Sequence, residues 1–158
     1  MKKFSILAVV ILIVILTTCL VGCSYGDPIE FTKENLVLEG STDTRERNEK
    51  AEKIDSREEL LSYMEFGSNF NMSLIEKFDS TYFEENSLII LTHSVYDDES
   101  YEIKDILIKD TKLTVKLSRK YIEGYFCQTY YDFIKVNKSD VENITQCVVV
   151  TSSVSFSF

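Results

Sequence analysis

Hydrophobic residues follow three different patterns along this chain, and each pattern predicts a different kind of element. An uncharged, largely aliphatic run extends from Phe4 to Leu16. Leu60, Leu61 and Met64 have the spacing of one helical face, whereas from Ser87 onwards the apolar positions recur with the period of two that is typical of strands. The pattern therefore predicts helices early in the chain and a β-sheet after them.

The predicted helix begins at a capping sequence. In Ser56-Arg57-Glu58-Glu59, the serine oxygen and the Glu59 carboxylate can accept hydrogen bonds from free amides of the first helical turn. Gly67 follows the last apolar position, where a left-handed residue commonly ends a helix. We expect a helix from Arg57 to Phe66 and a second, short helical turn from Ser73 to about Phe78.

The strand-like part of the chain predicts a sheet with one fully buried strand. Ser87 to Val95 is almost continuously apolar, so both of its faces are expected in the core. Asp110-Thr111 separates two alternating segments, 101–109 and 112–119, which together predict a β-hairpin. The residues expected on one side of its first strand are Tyr101, Ile103, Asp105, Leu107 and Lys109.

Further strands are expected at residues 30–38, 126–136 and 145–151. Because the helices precede most of these strands, the expected fold class is α+β. In this fold, one or two N-terminal helices pack on an antiparallel β-sheet.

The start of the chain has the organisation of a secretory signal. Lys2 and Lys3 supply a positive segment, Phe4–Leu16 is long enough for an apolar core, and Leu20-Val21-Gly22-Cys23 follows it. These last four residues resemble the lipid-attachment box of bacterial lipoproteins. The resemblance implies that the sulfur of Cys23 receives a diacylglycerol and that the chain is cut just before this residue. The protein would then be anchored by lipid at the extracytoplasmic face of the cell membrane.

An uncleaved transmembrane helix is the alternative, because no charged residue occurs from Phe4 to Gly26. We prefer the lipoprotein interpretation, since a membrane span does not require Gly-Cys at its end. It divides the chain into a signal peptide (1–22), a tether with one strand and a charged linker (23–53) and an α+β domain (54–158). Residues 39–53 contain no apolar side chain except Ala51, so they are expected to form a solvated loop.

The chain is acidic, which narrows the kinds of partner that it is expected to bind. Its formal net charge is −9, and this becomes −11 when Lys2 and Lys3 are removed with the signal peptide. A surface of this sign repels nucleic-acid phosphates and anionic headgroups. We therefore expect attachment to the membrane through the lipid at Cys23, no binding of nucleic acid, and an envelope protein as the remaining candidate partner.

Two cysteines remain once Cys23 is lipidated, because Cys19 lies in the signal peptide. Cys127 and Cys147 both fall in strand-like segments, and an even number of thiols outside the cytoplasm favours a disulfide between them. Two buried free thiols are the alternative. The spacing in sequence leaves both alternatives open, since it does not give the distance between the two Cα atoms.

No pattern in this chain points to a known catalytic chemistry. It has no glycine-rich phosphate loop, no His/Cys metal-ligand spacing and no nucleophile elbow, so no catalytic residue, metal or cofactor is predicted. An unrecognised enzyme site would be sought around His93 and the acidic turn Asp97–Glu99. A hydrogen-bonded structural histidine and a solvated turn are the simpler interpretations.

Two features remain as candidate contact surfaces. The alternation from Val154 to Phe158 predicts a strand, which at the edge of a sheet would offer a free backbone to a partner's strand. A second feature is a group of aromatic residues that cannot all face one side of a strand. These residues either contact a partner or pack across strands, and they are Tyr121, Tyr125, Phe126, Tyr130, Tyr131 and Phe133.

Residues 54–151 also resemble known domains. The segments SREELLSYM, FDSTYFEENSLIIL and YYDFIKVNK are similar to small domains of clostridial lipoproteins and to the β-rich domain of a bacterial protease-complex subunit. This resemblance implies a fold and supplies no functional residues. With the anchor, it favours a non-enzymatic binding or accessory module of the cell envelope. An envelope enzyme with an unrecognised active site and a small-ligand carrier are the alternatives.

Overall fold

The computed structural model describes residues 26–40, 49–65, 75–96, 100–121 and 127–155. Strands account for most of these residues, and the helices among them are short. In chain order, the elements are β1 (Asp27–Pro28), β2 (Phe31–Gly40), β3 (Lys50–Ile54), α1 (Arg57–Glu65), α2 (Tyr82–Glu85), β4 (Asn86–Tyr96), β5 (Ser100–Lys109), β6 (Lys112–Tyr121), β7 (Cys127–Asn137), α3 (Lys138–Val141) and β8 (Gln146–Ser155).

The strands form two four-stranded sheets that pack face to face. The first sheet has the order β1-β5-β6-β8, and the second has the order β2-β7-β4-β3. Apolar side chains from both sheets meet in one core, which includes Leu91 of β4, Val115 of β6 and Ile134 of β7. The arrangement is a β-sandwich, in which alternate residues of each strand point inward.

β4 is buried on both faces, as its continuous apolar sequence predicts. Ile89 and Leu91 point into the sandwich, whereas Leu88 and Ile90 point to the opposite face of the sheet, where α1 and α2 lie. Full burial of a side chain of this size contributes roughly 1.5–3 kcal/mol. β4 therefore stabilises two layers at once, the sandwich core and the helix-covered face.

α1 covers the outer face of the second sheet and begins as the sequence predicts. The Glu59 amide donates a hydrogen bond to the Ser56 hydroxyl (3.1 Å), and the Asp55 amide donates one to the Glu59 carboxylate (2.8 Å). These contacts satisfy amides that the helix itself leaves free. Leu60 and Met64 are buried and pack against the sheet, which confirms the predicted apolar face.

β5 and β6 form the predicted hairpin, with Asp110 in a left-handed conformation (φ 55°) at its turn. The predicted face of β5 is correct only in its first half. A register shift between Ile103 and Asp105 moves the following residues to the other side, so that Ile106 rather than Leu107 continues the sandwich core. This bulge adds one residue to the strand and keeps the Asp105 carboxylate at the surface, where its side chain is 50% exposed.

Three expectations about the architecture are corrected by the structure. The expected single antiparallel sheet is two sheets, and β6 and β8 pair in parallel. The strand predicted at 30–38 is confirmed as β2, but residues 50–53 of the predicted linker form β3 together with Ile54, because Ala51 and Ile54 are buried. The short turn or helix predicted from Ser73 to about Phe78 is described from residue 75, where the chain forms turns as expected.

The signal segment and Cys23 lie outside the described residues, as do the acidic turn Asp97–Glu99 and residues 156–158 of the last predicted strand. In the part of the chain that the structure describes, no helix has the length and hydrophobicity needed to span a membrane. The described domain is mostly β, and short helices cover one face of it.

Candidate functional site

A group of polar side chains lies inside the sandwich, at positions where the facing sheets are otherwise apolar. We define the buried polar cluster as His93 of β4, Tyr101 of β5 and Asp132 of β7, together with Lys33 of β2, whose side chain is 36% exposed and reaches Asp132 from the margin of the sandwich. The side chains of His93 and Asp132 are both 0% exposed. Lys33, Asp132 and His93 lie on adjacent strands of the second sheet, and the packing of the two sheets adds Tyr101 from the first.

Asp132 is the centre of this cluster. Its Oδ2 atom lies 3.1 Å from Nε2 of His93, and its Oδ1 atom accepts hydrogen bonds from the Tyr101 hydroxyl (3.1 Å) and from Nζ of Lys33 (2.9 Å). The His93 ring meets the Tyr101 ring edge-on at 4.2 Å between centroids and is stacked with Tyr130 at 6.0 Å. Two polar groups, the Tyr101 hydroxyl and Nζ of Lys33, and the rings of Tyr101 and Tyr130 therefore surround the His93–Asp132 pair.

The protonation states of the cluster are set by burial and by these contacts. Burial by itself raises the pKa of the Asp132 carboxyl, but the hydrogen bonds from His93 and Lys33 outweigh it and hold the pKa below the ordinary value of 3.8. Burial and the nearby Asp132 charge both raise the pKa of Tyr101. Asp132 is therefore ionised and Tyr101 neutral near pH 7. Because an ionised carboxylate can only accept hydrogen bonds, the N–H group at Nε2 of His93 is the donor in this contact.

The cluster has the residue types of an acid–base site, and its central pair is closed to solvent. Neither His93 nor Asp132 presents any side-chain surface, and Nδ1 of His93 is buried without a hydrogen-bond partner among the described residues. Within the same residues, no three His, Cys, Asp or Glu side chains are placed to hold a metal ion. His93 is therefore a buried, hydrogen-bonded histidine in this structure.

Arg119 extends this polar region towards β8. Its guanidinium group is 0% exposed, donates to the carbonyl oxygen of Ser94 in the opposite sheet and pairs with Glu49 at 2.8 Å. The other carboxylate oxygen of Glu49 accepts a hydrogen bond from the Thr151 hydroxyl of β8. The inner face of β8 is thus connected to the residue that precedes β3.

Sequence reasoning missed Asp132 as the partner of His93, and it missed Lys33 and Arg119 as members of the same polar region. Asp132 stands in phase with the inward residues Ile134 and Val136, and Arg119 stands in phase with Val115 and Leu117. A charged residue at an inward position of an alternating strand is the signal that could have identified them, because a buried charge needs a partner. The identity of that partner depends on which strands become neighbours in the fold, as His93 on β4 does for Asp132 on β7.

On one side of the sandwich lie the edge strand β8 of the first sheet and the edge strand β3 of the second, and we call this the open side. β3 is last in one sheet and β8 is last in the other, and the two strands are in contact. Among the described residues, no strand pairs with the outer edge of either. A groove of about 790 Å³ runs along β3 and is bounded by Tyr63 of α1 and Cys147 of β8. Its charges are paired locally, for example Lys53 with Asp55 at 2.7 Å.

The outer edge of β8, residues 146–155, is the second feature of this side, and we call it the open edge. Its sequence QCVVVTSSVS contains no charged residue, no proline and no glycine, and its pairing with β6 has no register shift. Cys147 and Val149 pack towards the core, whereas Val150 is 49% exposed. The free backbone groups of such an edge form a template for another strand.

Cys147 carries a free thiol, so its disulfide with Cys127 is not formed in the structure. Cys127 begins β7 in one sheet, and the chain follows all 11 residues of β7 and then α3 before it enters β8 in the other sheet. An extended strand of that length spans roughly 35 Å, whereas a disulfide requires Cα atoms within about 7 Å. Of the two alternatives, the structure shows the free thiol at Cys147, and burial raises the pKa of this thiol.

The aromatic residues of β7 are internal wherever their side chains are described. Phe133 is 1% exposed beneath the helices, Tyr131 packs in the same layer, and Tyr130 stacks with His93 inside the sandwich. These residues confirm the interpretation as packing across strands. The side chains of Tyr121, Tyr125 and Phe126 lie outside what the structure describes.

Comparison with known proteins does not assign the chain to a family. No protein-family model, no curated protein and no solved structure matches the chain. The likeness to clostridial lipoprotein domains and to a protease-complex subunit stays a prediction. A functional interpretation therefore depends on the signal segment and on the geometry of the open side.

Proposed function

We propose that this protein is a lipid-anchored, non-enzymatic binding module of the bacterial cell envelope, which binds a protein partner by adding a strand at the open edge. The observation that carries the proposal is the ten-residue β8, which lies at the edge of its sheet and has no charge along its length. The anchor is supported by Lys2, Lys3, the aliphatic run and Leu20-Val21-Gly22-Cys23.

A strand added to β8 would gain from both the backbone and the side chains. Each backbone hydrogen bond contributes roughly 0.5–1.5 kcal/mol net, and a paired edge forms several of them. Alternate side chains of β8 then supply contacts on one face, with Val150 the most exposed of the apolar ones. This is the usual division in strand addition, in which the main chain supplies affinity and alternate side chains supply specificity.

The lipid at Cys23 would hold the module beside its membrane while the acidic domain stays away from anionic headgroups. A domain whose net charge is −11 after processing is repelled by such a surface. Two acyl chains give stable attachment where a single chain gives only reversible binding. The anchor thus favours a partner that is itself located in the envelope.

The anchor is tested with Cys23→Ser in cells that express the full chain. We expect the processed, lipid-bearing species to disappear and an unprocessed chain to replace it, which stays with the detergent phase because it keeps its aliphatic run. The mass of the purified protein reports the lost diacylglycerol and the retained signal peptide. An unchanged mass would show that the first 22 residues remain as an uncleaved membrane span.

The binding site is tested with a photoreactive amino acid at Val150 in intact cells, with Asp105 as the matched control. Asp105 is exposed on the same sheet but lies on β5, away from the open edge. We expect irradiation to give a cross-linked band of discrete mass from position 150 and not from position 105. Equal labelling at the two positions, or none at position 150, would remove the open edge as a binding site.

A further inference from the structure

We infer that the strand which binds the open edge is β8 of a second copy of this protein, paired antiparallel about a two-fold axis at Val150. The inference rests on the proposed function in one respect only, which is that the open edge is the binding site. It adds the identity of the partner and the register of the contact.

The other edges of the two sheets carry features that prevent strand addition. β3 has only five residues and includes Lys50 and Lys53. β2 has a register shift after Glu34. β1 consists of two residues that include Pro28 and covers only Leu107 and Ile108 of β5, and the rest of the β5 edge carries charged residues and the register shift after Ile103. Short length, charge, bulges and proline are the usual protections of an exposed edge. β8 has none of them in the ten residues that the structure describes, which marks it as an edge kept available for pairing.

The absence of charge on β8 favours its own copy as the partner. The chain as a whole has a net charge of −9, so two copies repel each other over most of their surfaces. Along β8 no like charges would face each other, and like charges directly opposite in a sheet destabilise the pair. The open edge is therefore the place in the described structure where two copies can approach at the smallest electrostatic cost.

The position of Val150 defines the register. Val150 lies in the middle of β8 and is the exposed large hydrophobic residue of the described chain, at 49% exposure. Antiparallel pairing about this residue places Val150 opposite its own copy and Val148 opposite Ser152 of the other protomer. It also places Gln146 opposite Val154, so nearly the whole of β8 is paired. No other centre on β8 both pairs this much of the strand and covers Val150 with an identical side chain.

Antiparallel pairing about a two-fold axis also closes the assembly. Each protomer uses the open edge of β8, and the first sheets of the two protomers become a single continuous sheet. A contact between β8 of one copy and a different surface of the next would leave edges free and continue as a filament. Strand pairing alone buries little area, so the dimer is expected to be weak in dilute solution and to be favoured when both copies are tethered to one membrane.

The register is tested by cysteine cross-linking of the full-length protein in isolated membranes, in a Cys147→Ser background that removes the neighbouring thiol. We expect Val150→Cys to form a disulfide-linked dimer on mild oxidation, at least about tenfold above Asp105→Cys, because directly opposite residues satisfy disulfide geometry. Co-expressed Val148→Cys and Ser152→Cys chains with different tags should form mixed dimers in preference to dimers of either chain alone. Parallel pairing would instead give dimers of like chains, and this result would overturn the register.

Charge substitutions test the same contact without a covalent bond. Val150→Lys places two ammonium groups opposite each other, so we expect the dimer dissociation constant of the detergent-solubilised protein to rise at least about tenfold. Val148→Lys combined with Ser152→Glu faces each lysine with a glutamate of the other protomer and should retain the dimer. Val148→Lys combined with Ser152→Lys instead faces each lysine with a lysine of the other protomer and should abolish the dimer. Loss of the dimer in both double variants would contradict the pairing of 148 with 152.

The outcomes separate this inference from the proposed function. If the photoreactive group at Val150 captures a different protein and Val150→Cys gives no dimer, the partner is another chain and the binding module stands. If position 150 captures nothing and Val150→Cys gives no dimer, both the inference and the binding role of the open edge fail. Capture of the protein's own chain together with the mixed dimers supports both.

Discussion

The buried polar cluster and the open edge of β8 satisfy their polar groups in opposite ways. In the cluster, the fully buried Asp132 carboxylate contacts His93, Tyr101 and Lys33 within 3.1 Å. At the open edge, backbone groups of an uncharged strand face outward without a partner strand among the described residues. The polar groups of the cluster find hydrogen-bond partners within a single copy of the chain. The backbone groups of the open edge would find strand partners only when a further strand is added.

The comparison shows that charged side chains specify the fold in the buried polar cluster and are absent from the open edge. A buried carboxylate is costly unless donors surround it, so the cluster favours the arrangement of the two sheets in which Asp132 meets His93 and Tyr101. An uncharged edge imposes no such requirement and can accept a strand with little electrostatic cost. We expect substitutions in the first region to change folding and substitutions in the second to change association.

The largest effect is expected from Asp132→Ala. This change leaves His93 Nε2 and the Tyr101 hydroxyl buried without their acceptor, so we expect the free energy of unfolding to fall by about 3–5 kcal/mol. Urea denaturation followed by circular dichroism measures this loss. Asp105→Ala is the matched control, because its exposed carboxylate lies 4.0 Å from Lys116, and it should change stability by less than about 1 kcal/mol. Similar losses in the two variants would show that burial of Asp132 is not the cause.

A smaller effect is expected from removing one hydroxyl of the cluster. Tyr101→Phe keeps the ring against His93 and removes the donor to Asp132, so we expect a loss of about 1.5–3 kcal/mol. Tyr82→Phe is a natural comparison, because the Tyr82 hydroxyl is buried without a hydrogen-bond partner in the described structure. Its removal should leave stability unchanged or raise it. A destabilised Tyr82→Phe variant would reveal a partner for that hydroxyl.

Acid should weaken the protein through the same carboxylate. The pKa of Asp132 is lowered in the folded state, so between that pKa and the unfolded value near 3.8 the unfolded chain binds more protons than the folded one. The contribution is therefore fully present above the unfolded pKa and is lost as the pH falls through the folded pKa. We expect the urea midpoint to drop as the pH falls below the unfolded value of 3.8, and to drop less in Asp132→Asn. The remaining drop is assigned to groups such as Asp55, whose pKa is also lowered.

The smallest effect on folding is expected at the open edge. Val150 is half exposed, so Val150→Lys should change the unfolding free energy of the single chain by no more than about 0.5 kcal/mol while it weakens the dimer. Thermal unfolding at a concentration below the dimer dissociation constant separates the two effects. A loss above about 1 kcal/mol in the monomer would mean that another part of the same chain covers Val150.

Much of the local structure could be predicted because it depends on neighbouring residues. The capping contact of Ser56 with the Glu59 amide, the face of α1 that carries Leu60 and Met64, and the turn at Asp110 all follow from short-range pattern. β4 was predicted to be buried on both sides because its apolar run is unbroken. These predictions are confirmed by the structure.

The remaining features depend on contacts between residues far apart in the chain. The bulge between Ile103 and Asp105 shifts the inward face of β5, and an alternating sequence is compatible with either face. β3 was interpreted as linker because only Ala51 was counted as apolar, whereas pairing with β4 makes a strand of it. The contact of His93 with Asp132 joins residues 39 positions apart, so no local pattern contains it.

The aliphatic run at 4–16, the acidic character, most of the helices and strands and the uncharged composition of β8 can be read from the sequence, because each of these is a property of consecutive residues. Only the tertiary structure decided that the strands form two sheets, that Asp132 meets His93 and Tyr101 between them, and that β8 lies at an edge. The physical reason is that a strand's neighbours are chosen by packing and backbone pairing over the whole chain. The same uncharged sequence between two other strands would be ordinary core, and at an edge it is the surface that we propose for binding.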